Sequence, residues 1–172
     1  YRAPEFEVVV ETAEAEVQRG DDVAATIAAR YFFGSPLANT DVTWNVLAES
    51  YRFQPPWGGR YSFSDVDDPY ICFDCWWWRE PSAREAILSG RGAAGANGEL
   101  RITLDGAELE AALREWHKKP ASSNQLPASR ITLEATAVGP DNQSISGRTS
   151  VVVHPGPYYI GLSAQKYIGE AG

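Results

Sequence analysis

The sequence predicts an all-β domain, an antiparallel sandwich with one short helix. Two observations carry this. Apolar residues alternate with polar ones in segment after segment, which is the period of a half-buried strand. Turn residues separate those segments at intervals that suit a two-sheet fold rather than a βαβ unit. The 172 residues fit one domain carrying a large insertion, and a 44% hydrophobic content supplies a core.

Phe6, Val8 and Val10 alternate with Glu5, Glu7 and Glu11 and give the first strand. Gly20-Asp21-Asp22 is a turn. Val23, Ala25, Ile27, Ala29, Tyr31 and Phe33 then share one face of a long second strand. Gly34-Ser35-Pro36 stops it, because proline cannot donate to a ladder. Val42, Trp44 and Val46 mark a third strand, with Trp44 expected in the core. Leu100, Ile102 and Leu104 mark a further short one. Residues 131–138 alternate again, Gly139-Pro140-Asp141-Asn142 turns the chain, and Thr149, Val151 and Val153 lie on a closing strand.

Two stretches break this rhythm. In 105–118, Asp105 and Glu108 form a capping box. Leu109, Ala112, Leu113 and Trp116 follow at helical spacing, and Pro120 lies just past the end. Residues 120–128 read as a loop. The other break is 51–98, which holds four of the six tryptophans and both cysteines without clean periodicity. It is far longer than an ordinary connection and reads as an insertion that packs its own aromatics.

Composition excludes several function classes. A net charge of -8 is the opposite of a nucleic-acid footprint. No run of about 18 apolar residues offers a transmembrane helix. The opening without Met reads as part of a longer protein.

Cys72-Phe73-Asp74-Cys75 is the sharpest local motif. A redox pair needs a thiolate at a helix N-terminus after a strand, and that context is missing. A zinc site needs four ligands, but His117 and His154 are distant in sequence. What remains is a local disulfide or two packed thiols, so Cys72 and Cys75 are a disulfide candidate. Asp65, Asp67, Asp68 and Asp74 lack the calcium-loop pattern and read as a solvated acidic loop. Gly90-Arg91-Gly92-Ala93-Ala94-Gly95 lacks the Lys-Ser/Thr of a phosphate loop and reads as a flexible connector. Asn142-Gln143-Ser144 is a glycosylation sequon in a turn.

The aromatics Tyr51, Phe53, Trp57, Tyr61, Phe63, Tyr70, Phe73 and Trp76-Trp77-Trp78 serve either as a small core for the insertion or as an interaction surface. Trp57, Trp76, Trp77 and Trp78 are the candidate surface residues. Three consecutive tryptophans cannot all face inward from a strand. No Ser/His/Asp set, metal or cofactor site is argued for, and no enzymatic activity is expected.

Taken in order, Tyr1-Arg2-Ala3-Pro4-Glu5-Phe6-Glu7-Val8, Tyr31-Phe32-Phe33-Gly34-Ser35-Pro36-Leu37, Gly139-Pro140-Asp141-Asn142-Gln143 and Ser150-Val151-Val152-Val153-His154-Pro155 resemble one macroglobulin-like domain of the alpha-2-macroglobulin family. The likeness is to the third such domain of bacterial members and spans most of 1–50 and 129–168. It implies a seven-stranded antiparallel fibronectin- or immunoglobulin-like sandwich over 1–154. The insertion then lies at about 51–98, and 155–172 is a linker with the start of a next domain. The implied role is a structural module of a protease-trapping inhibitor. Its partners are neighbouring macroglobulin-like domains and, through the parent protein, proteases. The implied location is extracellular, periplasmic or at the cell envelope. The family's thioester motif, Cys-x-Glu-Gln, is absent here, so no functional residue of the family is carried over. Read without the resemblance, the aromatic insertion also fits a carbohydrate- or protein-binding sandwich.

Overall fold

A computed structural model describes residues 5–57, 61, 63, 85–117 and 128–163. The alternation at the start of the chain becomes β1 (Phe6–Thr12), which buries Phe6, Val8 and Val10. The second alternating run becomes β3 (Val23–Tyr31), burying Val23, Ala25, Ile27 and Ala29. The two pair antiparallel with Val8 opposite Ala29, so their apolar sets point the same way. β6 (Glu99–Leu104) joins the other side of β3 with Leu100 opposite Ile27, completing a three-stranded sheet in the order β1-β3-β6.

The second sheet has the order β2 (Glu16–Gln18), β8 (Ser144–His154), β7 (Ser129–Val138), β4 (Asp41–Ser50) and β5 (Glu85–Ala93). Its middle is β4, β7 and β8. Val42, Val46, Ile131, Leu133, Ala135 and Val151 face the first sheet and lie within one core with Ile27 and Ala29. Fully burying a side chain the size of Ile27 stabilises by about 1.5–3 kcal/mol. The helix α1 (Gly106–His117) buries Leu109 and Leu113 in the same core. The Asp105 carboxylate accepts the Glu108 backbone N–H at 2.9 Å, as the capping box predicts.

The structure corrects several expectations. The described strands number eight, and one pair is parallel. β2 (Glu16–Gln18) runs beside the end of β8, with Val17 opposite Val153. Three residues with a single buried side chain give no readable period, and the partner is distant in sequence.

β5 (Glu85–Ala93) lies inside the stretch read as an insertion and pairs antiparallel with β4. Its apolar alternation is broken because two of its inward positions, Gly90 and Gly92, hold glycine, while Leu88 opposite Val46 packs on the core. A Cβ on Gly90 would stand 2.2 Å from a ring atom of Trp44, and one on Gly92 would stand 3.0 Å from Leu100. Gly90 and Gly92 are thus packing positions of a strand rather than a flexible connector.

Trp44 shares its face with Val42 and Val46 but is only partly buried, because it lies across the edge strand β5. Phe33 does not continue β3. The chain turns at Tyr31, where the Gly34 N–H donates to the Tyr31 carbonyl at 2.8 Å and Gly34 adopts φ 96°. Phe32 and Phe33 are left 63% and 77% exposed, with Phe33 stacked on Tyr31.

The register fixes where the chain enters and leaves the sandwich. Phe6 begins β1 beside the β7–β8 turn, where a Cβ on Gly139 would stand 2.6 Å from its ring. His154 ends β8 at the opposite end, one residue past the Ser129–Val153 pair and opposite Gln18.

Candidate functional site

The described side chains with the densest chemistry gather at the end where β8 finishes. Just beyond β4, the Tyr51 N–H donates to the Ala128 carbonyl at 3.0 Å, so the strand direction carries Tyr51 and Phe53 past the sheet. His154 closes β8 from the adjoining side. After Pro155-Gly156-Pro157 the chain doubles back along these aromatics.

Tyr159 is the centre of the cluster. Its ring stacks on Phe53 with centroids 3.9 Å apart and planes within 5°. Phe63 meets Phe53 edge-on at 5.1 Å. A Cβ on Gly161 would stand 2.7 Å from Phe63, so only glycine allows so close an approach. The Tyr159 hydroxyl lies 2.5 Å from His154 Nδ1, and His154 Nε2 lies 3.3 Å from a Glu16 carboxylate oxygen. One assignment satisfies every group. The phenol donates to Nδ1, and the Nε2–H donates to Glu16. Tyr51 stands edge-on to His154 at 6.3 Å, and the Arg130 guanidinium lies 5.2 Å above the Tyr51 ring. Arg130 also pairs with Glu49 at 3.6 Å. Burial, helped by Tyr51 and Glu16, pushes the Tyr159 phenol up to about 12.

A groove of about 410 Å³ runs beside this cluster, with Phe53, Trp57, Phe63, His154, Tyr158 and Tyr159 among its walls. Trp57 stands on it 76% exposed. Tyr158, Ile160 and Leu162 are exposed as well, alternating with the more covered Tyr159 and Gly161.

The constellation ties three separate parts of the chain to one imidazole. A phenol with so high a pKa stays protonated at neutral pH, and both His154 nitrogens are engaged. Among the described residues no group of three or more His, Cys, Asp or Glu is placed to hold a metal ion. His117 has a structural role too. Its Nε2 lies 2.9 Å from Ser129 Oγ and ties α1 to the start of β7. Its pKa is lowered by burial and then by the Arg19 charge.

Of the residues singled out in the sequence, Phe53, Trp57 and Phe63 line the groove, and Tyr51 stands behind it against His154. Cys72, Cys75, Trp76, Trp77 and Trp78 lie outside the described residues, as do the Asp65, Asp67, Asp68 and Asp74 cluster and residues 120–127. Sequence reasoning missed His154, Tyr159 and Glu16 as partners. A histidine at a strand end followed by Pro-Gly-Pro and two tyrosines was the available signal, but Glu16 is 138 residues away.

Neither a protein-family model nor a curated protein matches the sequence. Solved structures do match. The native conformation of Escherichia coli alpha-2-macroglobulin superposes with a TM-score of 0.62 at 8% identity, over 96% of this chain and 9% of that one. Salmonella alpha-2-macroglobulin reacted with methylamine gives 0.63 at 9% identity, over 96% and 9%. Trypsin-activated E. coli alpha-2-macroglobulin gives 0.60 at 8%, over 91% and 9%. The chain therefore spans about a tenth of the length of these proteins, and it has the fold of a domain-sized stretch of bacterial alpha-2-macroglobulins.

Proposed function

We propose that the chain is a structural module of a longer, alpha-2-macroglobulin-like protease inhibitor, comparable to a third macroglobulin-like domain. It acts through contacts with sister domains rather than through catalysis. The observation that carries this reading is the fold match, which covers 91–96% of the chain in independent structures of such inhibitors. The geometry agrees with it. Polypeptide enters at the Phe6 end and leaves at the His154 end, and each end carries exposed aromatics. Among the described residues no helix is long and apolar enough to cross a membrane. The proposed setting is the periplasm, cell envelope or exterior, with residues 1–154 as the module and 155–172 leading to the next one. Proteases are partners of the whole protein and not of this piece.

The test compares the parent protein with this module. The parent is expected to shield trypsin from a macromolecular substrate after one cleavage event, and the isolated module to leave trypsin unaffected. Stoichiometric inhibition by the module alone, or no effect of the parent on any protease, would overturn the proposal.

One observation favours a second reading, a carbohydrate-binding sandwich. The groove presents Trp57 and Tyr158 as exposed rings of the kind that stack on sugar faces. Binding on a glycan array that is abolished by Trp57→Ala would establish it.

A further inference from the structure

We propose that Glu16, His154 and Tyr159 form a latch that fixes the course of the polypeptide as it leaves the sandwich, so that His154 and Tyr159 are positioning residues for whatever follows. The orienting role rests on the reading of the chain as a module of a longer protein; the latch itself does not.

Three elements distant in sequence meet at one imidazole. β2 supplies Glu16, β8 supplies His154 and the exit segment supplies Tyr159. Both ring nitrogens are used, so His154 cannot rotate without breaking a bond on each side. The Phe53 stack adds a fourth attachment, from the end of β4. It restrains the Tyr159 ring in a direction the hydrogen bond does not, since stacking fixes the plane while the hydroxyl fixes the tip. Gly161 then packs on Phe63. A free linker after Pro155-Gly156-Pro157 would sample many directions. Here it is tied within five residues of the last strand, and Tyr158, Ile160 and Leu162 are held outward as a consequence.

The groups facing His154 and Tyr159 are consistent with a latch that stays closed across ordinary pH. Glu16 lies on β2, Tyr51 follows β4, and Arg130 on β7 lies over the Tyr51 ring. Protonating His154 would reverse only one donor. Nδ1–H would then donate to the phenol oxygen while Nε2–H keeps Glu16. The phenol itself resists ionisation.

Backbone and side-chain NMR on the 172-residue chain test this. The amides of residues 158–161 should show order parameters near those of rigid backbone, about 0.85. Neutral His154 should be the Nε2–H tautomer. Tyr159→Phe keeps the stacked ring and removes only the hydroxyl. It should lower the order parameters of the segment toward about 0.6 and allow a mixture of His154 tautomers, while β3 and β7 keep their wild-type values. His154→Ala should loosen the segment at least as much. Glu16→Gln, which still accepts from Nε2–H, should preserve both the order and the tautomer. Wild-type order retained in Tyr159→Phe, or a segment already mobile in the wild type, would refute the latch. If His154→Ala fails to fold, Tyr159→Phe decides alone. In the parent protein, small-angle scattering should show Tyr159→Phe broadening the distribution of overall dimensions. If no folded unit follows this module, the proposed function falls while the NMR result stands. An unchanged distribution beside a loosened segment would remove the orienting role.

Discussion

Replacing Gly90 by alanine tests how the edge of the second sheet is built. The added Cβ would stand 2.2, 2.5 and 2.9 Å from three atoms of the Trp44 ring. All are well inside van der Waals contact, so the indole must move. Because Trp44 is partly buried and β5 is an edge strand, the ring can swing outward instead of forcing the sheets apart. The loss should therefore be that of moderate overpacking, about 1–3 kcal/mol. Trp44→Ala alone should cost about 2 kcal/mol, below the roughly 3–5 kcal/mol typical of a fully buried aromatic, since part of the ring already sees water. The decisive quantity is the double variant. Once the indole is gone, the methyl added by Gly90→Ala has nothing to meet and fills part of the space. The pair should then lose less than the sum of the singles by about 1–2 kcal/mol. Urea unfolding followed by far-ultraviolet circular dichroism measures all three without relying on tryptophan emission. Additivity within about 0.5 kcal/mol would show that Trp44 and Gly90 do not constrain one another, and the account of β5 would fail.

Gly147→Val should be more damaging than Gly90→Ala. Its Cβ would stand 2.0 Å from the Val8 carbonyl oxygen, and backbone in a paired strand cannot swing aside; a loss at or above about 3 kcal/mol in the same assay is expected. Asp105→Ala removes the N-cap of α1 and should cost about 1 kcal/mol, with Asp105→Asn recovering most of it. The lowered pKa of His117 makes stability depend on acidity. Between its folded value and the unfolded one of about 6.5, the unfolded chain binds the extra proton, so stability is full above about 6.5 and declines as pH falls below it. His117→Gln should flatten that decline above about pH 5, where most carboxylates are still ionised; an unchanged slope would mean His117 is not the group responsible.

The fold was legible wherever an inward face is made of branched or aromatic side chains. Phe6, Val8 and Val10 announce β1 because each is buried while the flanking Glu5, Glu7 and Glu11 are not. The helix was legible for a different reason, since Asp105 signals its start and Leu109 and Leu113 its buried stripe. β5 was illegible because its inward residues are defined by what a neighbour occupies. Gly90 is glycine on account of Trp44, 46 positions earlier, and nothing local reveals that. β2 failed on length, and Phe33 failed because a turn at Gly34 overrode an alternation that continued past the last pair of β3.

The site was legible in composition and not in geometry. A surplus of aromatics after β4 pointed to an apolar cluster, and Tyr51, Phe53, Trp57 and Phe63 do meet there. What the pattern could not supply was the other half of the cluster. In the sequence, Tyr158-Tyr159-Ile160-Gly161-Leu162 reads as a new strand start after a hinge, with Tyr158, Ile160 and Leu162 at alternate positions. In the fold that alternation separates a face lying on Phe53 and Phe63 from a face turned to solvent. The same two-residue period therefore describes a segment that packs on side chains and makes a backbone bridge at Leu162. The Tyr159 hydroxyl on His154 and its ring on Phe53 hold the segment through side chains. The segment is thus tied at this end by one phenol–imidazole contact and by packing on Phe53 and Phe63, so a single-atom change such as Tyr159→Phe separates the hydrogen bond from the stack.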